Sequence, residues 1–357
     1  LLNFQTNPEN IFRAWILDVT VHRKGMLLWL KTKKNQIIRA LHAFKPAFYV
    51  VHHMHKQWEK AKCLEEKYHR FQDIIGKFPH ISEVSLVNRR INAENPHYSL
   101  VLKIEVKFPH YFHRVCQKLR SLDAFDLYNV DIPLSQLYFD NTTLFPFALC
   151  EFSGTWKGTL FHVSTIHLVD STERIYYQLP PLTVMWIDIV PQSNHFPEQL
   201  RFPIEKFILT MDPSGTSLSL DHLFPPNFLL SAEDGQEQVI LTDGTEYETL
   251  LLFFEAIEKI DPDIIFTRKG DEFLFPYLLS RLKKHHLEHH FSLSRDDSPV
   301  SQACFRKNSG NSFMSYGQVL HRSETEFYLT GRLHIDSAIY GGLHFDDGNL
   351  FGIIEVG

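Results

Sequence analysis

The residues with the most obvious capacity for chemistry are histidines, of which the chain has 21. His285, His286, His289 and His290 form two i, i+4 pairs, a spacing that on a helix brings both imidazoles of a pair to one face and suits a structural Zn²⁺. The plainer reading of the same residues, with Lys283 and Lys284 beside them, is a cationic helix C-terminus that complements the helix dipole. His52, His53 and His55 form a looser group on a β-like run. Asp188 is a different case, a single buried-facing acid in the apolar run Val184 to Val190, a pattern of central strands. No Gly-rich phosphate loop, Ser/His/Asp order or nucleophilic-cysteine context stands out. Cys63, Cys116, Cys150 and Cys304 are scattered without CxxC spacing, and read as reduced and mostly buried.

These residues need a scaffold, and the chain is long enough for two domains: 357 residues against ~100–200 per domain. With 44% hydrophobic and 13% aromatic residues it can bury cores, which excludes disorder. No stretch approaches the ~18–20 apolar residues of a membrane span. Leu1 to Asn10 carry no readable export signal, so no membrane role and an internal compartment are expected.

The periodicity places strands at 15–21, 26–30 and 48–51, read as an antiparallel meander, then a surface helix over 56–77, strands at 81–86 and 98–108, and a helix over 110–121. Short β-prone runs follow at 160–167 and 175–179, and Pro180-Pro181 reads as a hinge. Beyond it come strand 184–190, a hairpin pairing 207–211 with 217–220, helix 246–259, strand 263–266 and a helix over 273–284. Strand, hairpin, helix, strand, helix implies a mixed sheet flanked by helices, an α/β (α+β) class. The expected domains are 1–178, β-rich, and 179–357.

Charge divides the chain in the same sense. Residues 1–120 carry 21 Lys and Arg against 9 Asp and Glu, and residues 121–357 carry 15 against 33. A basic front part suits a polyanion such as nucleic acid. Solvated surface is the plain alternative.

One segment is specific. Asp261-Pro262-Asp263-Ile264-Ile265-Phe266, followed by Lys269-Gly270-Asp271-Glu272-Phe273-Leu274-Phe275-Pro276-Tyr277-Leu278, resembles the second exonuclease motif of family B DNA polymerases, "DPDII" running into "Asn-Gly-Asp-x-Phe-Asp-x-Pro-Tyr-Leu". Three other stretches agree in order. Phe44-Lys45-Pro46-Ala47-Phe48-Tyr49 is similar to the "F-R/K-P-x-x-Y" of that family's N-terminal domain. Asn129-Val130-Asp131-Ile132-Pro133, with Gln136 to Phe139 after it, is similar to its "Y-D-I-P…R-Y-L" segment, and Gly331-Arg332-Leu333-His334-Ile335-Asp336 to its "G-R-x-x-x-D" strand.

The resemblance implies an N-terminal domain followed by an RNase H-like 3′–5′ exonuclease domain, incomplete at its C-terminal end where the chain stops at Gly357. It also implies two-metal phosphodiester cleavage, with Mg²⁺ or Mn²⁺ held by an Asp-x-Glu on the first strand, a second-motif Asp and a later Asp. Here Asp188 keeps the first position, Val190 replaces the Glu, Leu274 replaces the second-motif Asp, and Lys269 replaces the Asn. Asp188 and Asp271 are the weak metal candidates that remain. The expectation is therefore an inactivated proofreading site, no cofactor in this chain although the parent family uses Mg²⁺, and Asp188 as a solvated relic.

Arg268, Lys269, Tyr277 and Pro46 are the expected nucleic-acid contacts. In archaeal members an N-terminal pocket captures template uracil; Pro46 matches it, but Val21 and Leu134 replace its aromatic residues, so stacking there should be weak. Expected partners are single-stranded or primer–template DNA and a polymerase palm, fingers and thumb in the same polypeptide, with a cytoplasmic, nucleoid-associated location. Two alternatives stay open: a non-catalytic scaffold whose acidic domain docks another protein, and an active exonuclease with relocated ligands.

Overall fold

The computed structural model describes residues 10–91, 97–171, 177–192, 202–211, 229–233, 236–302, 312–315, 318–321 and 327–336. The chain divides into two compact units, Leu1–Pro180 and Pro181–Gly357, each with its own core. Among the described residues no helix is long and apolar enough to cross a membrane.

In the first unit, β1 (Asn10–His22), β2 (Gly25–Lys31) and β3 (Ile37–His42) form the antiparallel meander that the sequence suggests. It does not continue to residue 51. β8 (Leu149–Lys157) and β9 (Leu160–Leu168) close the three strands into a barrel, with β8 antiparallel to β1 and β9 parallel to β3. The strand that follows the meander, β4 (Ala47–His52), belongs to a second sheet. Pro46 marks the change. Having no N–H to continue a ladder, it offers only its carbonyl, which accepts from Val106 N at 2.9 Å.

That second sheet has the order β5-β6-β4-β7, with β5 (Ile81–Arg89), β6 (Ser99–Val106) and β7 (Phe125–Tyr128). Helices α1 (His55–Lys60) and α2 (Leu64–Ile75) link β4 to β5, and α3 (Phe112–Arg120) links β6 to β7. The result is a split βαβ arrangement, β-α-β-β-α-β. The single helix read over 56–77 is thus two. The chain breaks at 61–63, where Lys62 adopts φ 53°, and the fold keeps Trp58 of α1 stacked on Phe71 of α2 at 5.9 Å. Another helix, α4 (Leu134–Thr142), follows Pro133 and buries Leu134, Leu137 and Tyr138 on one face.

The second unit is a mixed sheet of order β12-β13-β11-β10-β14-β17. Its strands are β10 (Val184–Pro191), β11 (Ile204–Met211), β12 (Leu229–Glu233), β13 (Gln236–Leu241), β14 (Ile264–Thr267) and β17 (Leu333–Asp336). Pairing is antiparallel from β12 to β10 and parallel from β10 through β14 to β17. A separate hairpin joins β15 (Ser312–Ser315) to β16 (Gln318–His321). β11 therefore pairs with β10 and β13, and the expected partner at 217–220 lies outside the described residues. So does part of the run 175–179, whose described end is not strand.

Helices α5 (Glu246–Ile260) and α6 (Phe275–Lys284) share the sheet's core. α5 is N-capped by Thr245, whose hydroxyl accepts from Glu248 N at 3.2 Å. Phe253 of α5 stacks on Phe207 of β11 at 4.1 Å, within a core that includes Met185, Ile187, Leu209, Val239, Leu278 and Leu282.

Candidate functional site

Side chains alternate along β10. Met185 and Ile187 are fully buried, so Trp186, Asp188 and Val190 share the other face. β14 lies parallel in the register Trp186↔Phe266 and Ile187↔Thr267, and the Trp186 and Phe266 rings stack at 4.7 Å. One step further along, Asp188 and Arg268 occupy neighbouring positions at the carboxyl ends of parallel strands, where open α/β sheets bind ligands. Both residues are exposed. Asp188 thus faces outward rather than into the core, because the register assigns the inward positions to its apolar neighbours. Partial burial pushes its carboxyl above the usual range, and the charge of Arg268 opposes that shift. Val190 is half-buried.

After Thr267 the chain passes through exposed Arg268 and Lys269. Lys269 sits in the left-handed region at φ 54°, and a π-helical turn, Gly270–Leu274, follows and leads into α6. Left-handed backbone favours Gly and Asn over Lys. A Cβ at Gly270 would collide with Thr267 Oγ1 and His334 Nε2, so only glycine lets the turn approach β17. The turn buries Leu274 in the core at 2% exposure. Asp271 is buried too, its Oδ1 accepting from Phe327 N at 2.8 Å and its own N–H donating to Asp336 Oδ2 at 3.2 Å. Its neighbour His334, hydrogen-bonded through Nε2 to Thr267 Oγ1 at 2.8 Å, is held near pKa 4 by burial, against the opposing pull of Asp336. The second metal candidate, Asp271, is therefore engaged in joining the turn to β17 and the segment before it.

The acids that open the motif are engaged as well. Arg295 Nε lies 2.8 Å from Asp261 Oδ1, and its Nη2 lies 2.8 Å from Asp263 Oδ1. Arg332 Nη2 lies 2.7 Å from Asp261 Oδ1. Burial alone would raise the Asp261 carboxyl, but the two guanidiniums outweigh it and hold it below the usual range. Asp263 Oδ2 also accepts from Thr183 N at 2.8 Å. This arginine clamp fastens the start of β14 to the chain entering β10 and β17, and gives Arg332 of the "G-R-x-x-x-D" stretch a structural task. Sequence reasoning missed the partner Arg295, which lies in no motif.

Other expected site residues have internal roles. Tyr277 is fully buried, stacks on Phe273 at 5.4 Å and donates its hydroxyl to Phe202 O at 2.9 Å. Pro46 and Leu134 are buried, whereas Val21 is 47% exposed. The paired histidines do not share a helix face, because α6 ends at Lys284 and His286 adopts φ 58°. His285 Nε2 instead meets Glu246 Oε2 at 2.7 Å, and His289 Nδ1 meets Ser301 Oγ at 3.1 Å.

A pair of Mg²⁺ ions needs several oxygen donors held together. At the positions the resemblance gives to metal carboxylates, one side chain, Asp188, has oxygen; Val190 and Leu274 are hydrocarbon, and cations follow at Arg268 and Lys269. Among the described residues no three His, Cys, Asp or Glu side chains are grouped to hold a metal ion. The side chains at these described positions do not by themselves fit a divalent pair.

A family profile described as DNA polymerase family B, exonuclease domain, matches residues 125–341. Among solved structures, the family B DNA polymerase of the hyperthermophilic archaeon Pyrobaculum calidifontis is similar to this chain, with a TM-score of 0.61 and 17% identity. The match covers 92% of this chain and 37% of that one. No curated protein sequence matches.

Proposed function

The chain belongs to DNA polymerase family B, and from that premise we propose that it is the N-terminal and exonuclease-like part of a DNA-directed DNA polymerase whose proofreading site holds a strand without cutting it. The observation that carries this reading is the composition around one sheet face: Asp188 beside Arg268, with hydrocarbon at Val190 on that face and Leu274 turned away into the core. In two-metal cleavage the ions activate water and stabilise the leaving oxygen. Arg268 and Lys269 offer positive charge to a phosphodiester, but neither supplies the oxygen ligand that a divalent ion needs. The retained work is to guide single-stranded or primer–template DNA in replication or repair, with palm, fingers and thumb as partners in the same polypeptide.

The test is incubation of the chain with a labelled mismatched primer–template and Mg²⁺ or Mn²⁺. The expected outcome is an intact primer. A cleavage ladder that Asp188→Ala abolishes overturns the reading.

A further inference from the structure

The first unit holds a pocket of about 590 Å³ that the proofreading reading leaves unused, within the size range of small-molecule sites. Its lining includes His53, His55, Lys56, Glu59, Asp126 and Tyr128. The split βαβ register explains why they meet. β4 and β7 pair Tyr49↔Tyr128 and Val51↔Asp126, and β5 and β6 pair Arg89↔Ser99, so these residues gather at one end of the sheet. Phe48 and Val50 of β4 are fully buried in the core shared with the helices, which turns Tyr49 and its partner Tyr128 to the other face.

Two cations stacked on tyrosines stand at the same end. The Arg89 guanidinium lies 5.7 Å from the Tyr49 ring, and that of Arg90 lies 5.2 Å from the Tyr98 ring. Tyr98 is 63% exposed, a large cost in unburied ring that a stacking partner would offset. On the pocket wall His55 is buried, with Nδ1 bonded to Tyr68 Oη at 2.9 Å, while its Nε2 has no hydrogen-bond partner among the described residues.

The mixture of groups narrows the ligand. Among the described residues a metal ion lacks three converging donors, and a bare polyphosphate would meet the carboxylates of Asp126 and Glu59. A nucleotide uses all of it: ring faces stack a base, carboxylates accept its N–H groups, and Arg and Lys neutralise its phosphate. We propose that this pocket, with the Arg89–Tyr49 and Arg90–Tyr98 pairs beside it, is a stacking site for one or two unpaired nucleotides of a single strand. The proposal rests on the strand-guiding reading above and adds a second contact point, distinct from Arg268 and Lys269.

Anisotropy titrations of the whole chain with single-stranded and duplex oligonucleotides at several salt concentrations test it. Tyr98→Ala should weaken single-strand binding roughly 5- to 100-fold with the salt slope unchanged, as lost stacking does. Tyr98→Trp should restore it. Arg90→Gln should lower the salt slope by about 1, and Asp126→Asn should weaken capture of single strands more than of duplex. Nucleoside monophosphates at millimolar concentration should compete if the base alone is recognised. Failure to compete, with Asp126→Asn neutral, would remove the pocket from the proposal. Wild-type affinity in Tyr98→Ala and Asp126→Asn, alongside loss in an Arg268→Ala/Lys269→Ala variant, overturns the stacking site and leaves the strand-guiding reading standing. No saturable binding by the whole chain overturns both.

Discussion

Val190 and Leu274 stand at two family carboxylate positions, but a carboxylate would meet different surroundings at each. Val190 is half-buried on the face that Asp188 shares, so Val190→Glu lets the acid reach water and should change stability by less than ~1 kcal/mol. Leu274 is 2% exposed among core side chains. Leu274→Asp removes apolar packing and places a carboxyl where burial favours its neutral form, so unfolding in urea should show a loss of roughly 3–5 kcal/mol. The double variant should therefore not regain nuclease activity, since the acid it adds at 274 is turned into the core and Lys269 remains beside the site. Calorimetric titration with Mn²⁺ is the measurement. Two bound ions together with recovered cleavage would show that the turn can swing residue 274 back toward Asp188.

Glu246 shows how the elements of the second unit are fastened. Its side chain is 7% exposed and receives Arg281 Nε at 2.6 Å on Oε1, Arg281 Nη2 and His285 Nε2 on Oε2, and Ile204 N at 2.7 Å on Oε1. One carboxylate thus joins the start of α5, the end of α6 and the start of β11. Burial by itself would raise its pKa, but the hydrogen bonds from Arg281, His285 and Ile204 N outweigh it and hold the group below its ordinary 4.5. A carboxyl depressed on folding stabilises the protein above its unfolded pKa and loses that effect as pH falls through the folded value. Glu246→Gln should cost about 3 kcal/mol at pH 7, and the gap to wild type should narrow below pH 4.5. A gap that stays constant with pH would place the loss in packing instead. Little of this fastening was legible in the sequence, because Ile204, Arg281 and His285 are far from residue 246 and belong to no local pattern. Runs with strong periodicity, such as Val184 to Val190 and Glu246 to Lys259, were readable as a strand and a helix. β3, β7, β8 and α4 were not, since β3 and β7 are short and β8, like them, takes its place from distant strands, while α4 follows Pro133 without a strong apolar stripe. The substitutions at 190, 269 and 274 were visible, whereas the outward turn of Asp188, the burial of Tyr277 and the engagement of Asp271 depend on register and on Phe327 and Asp336.

At the scale of the whole molecule the formal charge of -6 conceals the property that matters for a polyanion. Residues 1–120 hold 21 of the 36 Lys and Arg and only 9 of the 42 Asp and Glu. Over a Debye length of ~8 Å at physiological salt, a phosphate backbone senses local groups rather than the sum, so a chain anionic overall can still attract DNA through its first unit. The first unit also exposes cations on its surface, as with Arg114 and Arg120 on α3. Binding should accordingly fall steeply between ~50 and ~200 mM salt as condensed counterions cease to favour release. The location of the contact can be read separately by lysine acetylation with and without a single-stranded oligonucleotide. Protection is expected at lysines within residues 10–120 and at Lys269, whose position beside Arg268 makes it the exception in the acidic unit. Lys259, paired with Glu255 at 2.7 Å, and Lys283 and Lys284 at the end of α6 should stay as reactive as in the free chain. The reverse pattern, with protection concentrated after residue 181 and none before it, would mean that charge asymmetry does not direct the strand, and that the basic surface of the first unit is solvated or reserved for another partner.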